Sequence, residues 1–82
     1  MKKQFTGGSQ IKIYLEDRGI KQTWLIGKIR HLLVEMGWQT DQLKSFDKNS
    51  KSYMSFWLSE KREMPKYILA LINDVLSNSL FS

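Results

Sequence analysis

Apolar residues in this chain recur at three- and four-residue steps, in blocks bounded by Gly19, Gly37 and Pro65, with no sustained alternation between apolar and polar positions. That period belongs to helices burying one face; strands repeat every second residue. Trp24, Leu25, Ile29, Leu32, Leu33 and Met36 form one stripe of a helix over about 22–36, stopped by Gly37. An earlier helix reads from Ser9, as N-cap, to Arg18, with Ile11, Ile13, Tyr14 and Leu15 apolar and Gly19 as its stop. Beyond Gly37 a short helix reads from Thr40 to Phe46, then a turn at Asp47-Lys48-Asn49, then a helix over about 51–60 capped by Ser50. In that helix Met54, Trp57 and Leu58 point inward, and Ser52, Ser55, Phe56 and Ser59 fall on the other side. Pro65 opens a last helix reaching Leu76 or beyond, with Ile68, Leu71, Ile72 and Val75 in one stripe. The expected fold class is all-α, a compact bundle of about five helices forming one domain over 9–82. Residues 1–8 are expected as a flexible arm, because Gly7-Gly8 permits almost any backbone path.

At 82 residues the chain is long enough for one domain. A core of that size hides only about 60–65% of the surface an unfolded chain exposes. There is no cysteine, so disulfides and thiolate ligands are excluded. The single histidine, His31, lies four residues before Glu35, a spacing expected to give a surface pair. Glu16 and Asp17 are adjacent and point about 100° apart on a helix, which rules them out as a paired acid and base. Gly7-Gly8-Ser9 lacks the length and the lysine of a phosphate loop. No enzyme, cofactor or metal site is therefore expected. No apolar stretch approaches the roughly 20 residues of a membrane span, and polar residues follow Lys2 and Lys3 where a signal core would lie. The expected location is the cytoplasm.

The formal charge is +5, which favours polyanionic partners. From Gln42 to Arg62 five cations, Lys44, Lys48, Lys51, Lys61 and Arg62, stand against Asp47 and Glu60. The order helix, short helix, turn, capped helix and Pro-started helix over Ile29 to Leu76 is the order that a helix-turn-helix requires. Ser52 to Tyr67, SYMSFWLSEKREMPKY, carries an aliphatic residue (Met54), a tryptophan three later (Trp57), a basic loop (Lys61, Arg62) and a proline (Pro65). Upstream and without a gap, Ile29 and Leu33 occupy first-helix core positions, Gly37 the stop and Leu43 a second-helix core position.

In these residues the chain resembles the Cro/CI-type, lambda-repressor-like helix-turn-helix family, over about residues 29–76. The turn departs from the family pattern: Lys44 replaces a small residue, Asp47-Lys48-Asn49 replaces an apolar-Gly-apolar run, and Thr40 replaces glutamine. A second register places Gln22, Leu25 and Ile29 in the family roles, with roughly eighteen residues inserted before the recognition helix. Both registers use Ser50 to Glu60 as that helix. The resemblance implies a sequence-specific DNA-binding regulator, a repressor of phage or mobile-element type, that inserts helix 51–60 in the major groove of double-stranded DNA. The expected contacts are Thr40, Gln42, Lys44, Asn49, Lys51, Ser52, Ser55, Phe56, Lys61 and Arg62, with Lys51, Lys61 and Arg62 on one surface. A homodimer is expected, joined through surplus apolar residues of the last helix: Leu69, Leu76, Leu80 and Phe81. No Arg, Asn or Gln lies on the exposed face of Ser52 to Ser59, and bidentate base reading normally uses one. The alternative is a small protein-interaction module, an inhibitor or adaptor built on the same fold.

Overall fold

The computed structural model describes residues 4–79. Among the described residues the chain forms four helices: α1 Gly8–Arg18, α2 Gln22–Glu35, α3 Thr40–Leu58 and α4 Lys66–Ser79. There is no strand among the described residues. α2 packs against both α3 and α4, and α1 packs against α3.

Glycine ends the first two helices as the sequence indicates. Gly19 (φ 67) and Gly37 (φ 92) take the left-handed conformation. The Gly19 and Ile20 N–H groups donate to the carbonyls of Glu16 and Leu15, and those of Gly37 and Trp38 to the carbonyls of Val34 and Leu33. Each end thus satisfies two carbonyls that a helix terminus would leave unpaired. α3 stops the same way without glycine. Glu60 sits at φ 59, and Glu60 and Lys61 donate to the Trp57 and Phe56 carbonyls.

Four helices replace the five expected. The Asp47-Lys48-Asn49 turn is absent, and those residues lie inside the continuous α3. Asp and Asn are indifferent helix formers, but Leu43, Phe46, Ser50, Met54, Trp57 and Leu58 hold one unbroken helical register across them. Side chains also hold the segment. Arg30 Nε lies 2.8 Å from Asp47 Oδ1, and Asn49 Nδ2 donates to the Ser45 carbonyl at 3.1 Å. Ser50, expected as an N-cap, is a buried mid-helix residue whose hydroxyl donates back to the Asp47 carbonyl at 3.5 Å.

The core joins Ile11 and Leu15 of α1, Leu25, Ile29 and Leu33 of α2, Met54 and Leu58 of α3, and Ile68, Ile72, Val75 and Leu76 of α4. Phe5 completes it, so the segment expected as an arm contributes a core side chain. Asn73 of α4 fixes the Phe5 backbone, accepting its N–H at 2.7 Å and donating to its carbonyl at 3.1 Å. Leu76 is 2% exposed. That corrects the interface expected on the last helix: Leu76 is spent inside the chain, Leu69 is half-buried, and Leu80 and Phe81 lie outside the described residues.

Gly8 proves to be a packing requirement, since a Cβ there would fall on the Trp57 carbonyl oxygen. This contact brings the start of α1 against the end of α3. Ser9 is not the N-cap; that position is Gly7 and makes no side-chain hydrogen bond. The Ser9 N–H donates instead to Glu60 Oε2 at 3.2 Å. A carboxylate from the turn after α3 thus takes up one of the free first-turn donors of α1, where negative charge is favoured.

Candidate nucleic-acid interface

α3 is 19 residues long, roughly 28 Å at 1.5 Å per residue. Its fully buried residues, Ser50, Met54 and Leu58, all lie in its second half. The first half touches the rest of the chain through half-buried Leu43, Phe46 and Asn49 and the Arg30–Asp47 pair, and presents most of its circumference to solvent.

The ten expected contact residues lie on this helix and the loop after it, but not on one face. Thr40, Lys44, Lys51 and Ser55 fall within about 60° of one another around the axis, with Lys48 about 20° further on. All five are exposed. The ion pairs among the described residues are Arg30–Asp47 and His31–Glu35, so the three lysines carry no carboxylate partner. Ser45 and Ser52 follow outward, small and exposed, beside Asp41.

Gln42, Asn49 and Phe56 lie beyond the serines, on the far flank. Two of these have their polar groups partly engaged. Gln42 Oε1 accepts the Gln39 N–H at 2.8 Å and caps α3, and the Asn49 amide donates to Ser45. Arg62 is on this flank too. Its guanidinium stands over the Phe56 ring at 5.3 Å and the Tyr53 ring at 5.9 Å. Lys51 and Arg62 are therefore on opposite flanks of α3, because the turn at Glu60 folds the chain back across the Tyr53 and Phe56 side. Lys61 is exposed in that turn. Trp57, expected inward, is half-buried beside this flank and stacks on Tyr53, centroids 5.8 Å apart at 20°.

Three residues that the sequence reading passed over complete the flank. Trp38 and Tyr67 meet at 6.3 Å, and with Tyr53 they line a groove of about 450 Å³ that also takes in Phe46, Trp57 and Pro65. The only advance sign was the aromatic spacing of Tyr53 and Trp57; Trp38 and Tyr67 arrive from distant segments.

His31 Nε2 lies 3.1 Å from Glu35 Oε1, both side chains largely exposed, as the spacing indicates. Among the described residues no three His, Asp or Glu side chains gather as a metal would require, and no helix is long and apolar enough to cross a membrane. No family model matches the chain, and neither a curated protein nor a solved structure matches it.

Proposed function

We propose that the chain is a cytoplasmic, sequence-specific DNA-binding regulator, a repressor of phage or mobile-element type, that seats α3 in the major groove. The observation carrying this reading is the cross-section of α3. A strip of small residues, Ser45 and Ser52, runs between a flank with Lys44, Lys48 and Lys51 and a flank edged by Arg62. An α-helix is about 10–12 Å across, and the major groove is about 12 Å wide. Small residues allow close approach to the base edges, while cations on both sides meet the two phosphate backbones. The helix-turn-helix of this reading is α2, the Met36–Gln39 connection and α3, with the recognition surface extended along α3 ahead of Ser50 to Glu60. A reader this small gains by binding as a homodimer to two half-sites a helical turn apart, through a contact that does not use the buried Leu76.

Fluorescence anisotropy on a duplex at stepped salt concentrations tests the reading. Non-specific binding is expected with a dissociation constant of about 10⁻⁴–10⁻⁶ M near physiological salt. Replacing Lys44, Lys48 and Lys51 by alanine is expected to lower the slope of log K against log salt by about 2.7. A wild-type chain with no affinity for duplex in low salt, or a triple variant with an unchanged slope, overturns it.

A further inference from the structure

The aromatic groove lies on the flank of α3 away from the three lysines, and its chemistry differs from theirs. Its α3 wall is the stripe Gln42, Ser45, Phe46, Asn49, Tyr53 and Trp57, which spans roughly 22 Å at 1.5 Å per residue. Such a length suits a linear ligand better than a single small molecule. We propose that this groove binds an extended, uncharged, proline-rich peptide segment of a partner protein.

Three features select that occupant. The groove's formal charges balance, one cation (Arg62) against one anion (Glu63), whereas a single-stranded nucleic acid needs a cationic track beside its stacking rings. The lining contains no Leu, Ile, Val or Met, the residue types that make the apolar bed for an amphipathic helix. What it does contain is aromatic faces with polar tips. Tyr53 and Tyr67 are 39% and 49% exposed, and tyrosine hydroxyls and tryptophan N–H groups are hydrogen-bond donors. A polyproline II segment offers the complement: rigid apolar rings, carbonyls free of internal hydrogen bonds, and little ordering entropy to lose. Roughly seven residues at 3.1 Å each fill the stripe.

Decaproline titrated into the full chain tests this, followed by the indole N–H resonances of the three tryptophans. Trp38 and Trp57 line the groove, and Trp24 lies elsewhere beside Lys28. Saturable shifts are expected at the Trp38 and Trp57 indoles and not at Trp24. Tyr67→Ala, at a half-exposed position, is expected to weaken binding by about tenfold, and Tyr67→Phe to weaken it less, because the ring remains. The Lys44, Lys48 and Lys51 triple alanine variant should bind decaproline like wild type, which separates this site from the DNA reading. No saturation by about 1 mM, equal shifts at Trp24, or an unaltered Tyr67→Ala complex overturns the proposal. So does tighter saturation of the same indoles by deca-thymidylate or by an amphipathic helical peptide.

Discussion

The two halves of α3 belong to one helix and are held in different ways. From Ser50 onward it is built into the core: Met54 and Leu58 are 1% and 2% exposed, and α1 crosses it at Gly8. From Thr40 to Asn49 no residue is fully buried; half-buried Leu43, Phe46 and Asn49 and a surface ion pair to Arg30 of α2 hold it in place. A helix that projects from its core in this way resembles a cantilever. Its inner half supplies rigidity, and its outer half is free to present side chains on nearly all sides.

The largest effects should come from striking the anchored half. Met54→Ala is expected to cost about 2–5 kcal/mol, read from urea denaturation, and Leu43→Ala in the outer half well under that. Equal costs would erase the distinction. Lys48→Pro comes next, at about 3 kcal/mol or somewhat less, because proline in a helix interior removes a backbone bond and clashes with the preceding turn. Since the outer half is loosely held, part of the effect should appear as lost far-UV helicity ahead of the main transition. An unperturbed Lys48→Pro would restore the turn at Asp47 to Asn49. The smallest effect belongs to the Arg30–Asp47 pair, both side chains 45% exposed. A double-mutant cycle is expected to give a coupling of about 0.2–1 kcal/mol, falling with salt. A larger, salt-insensitive coupling would show the outer half anchored after all.

The same contrast explains what the sequence disclosed. α1, α2 and α4 were legible because their apolar stripes are strong and Gly19, Gly37 and Pro65 punctuate them. α3 misled because Asp47 and Asn49 carry turn chemistry while the apolar register continues beneath them. In a weakly buried stretch, local composition then competes with the register. The register was the better guide, since one ion pair and a back-bonded asparagine suffice to keep the helix going. The end of α3 was legible only to within a residue or two, because a glutamate in the left-handed conformation is no sequence signal for a stop. The lysines could be read as charges. Their separation from Arg62 could not, because it depends on the direction in which the Glu60 turn leaves the helix. The aromatic groove was hidden for a related reason: Trp38 and Tyr67 meet only after α2, α3 and α4 have packed.

The clasp between Phe5 and Asn73 joins residues 68 positions apart. Closing so long a loop is entropically costly and gains its reward only when α4 is in place. The contacts among α1, α2 and α3 are more local and need not wait for it. Phe5 should therefore be among the last groups to dock during folding and among the first to leave. Its amide, donating to a side chain and outside any helix, should exchange with solvent by local opening long before the amides of Ile29 and Leu33 are released.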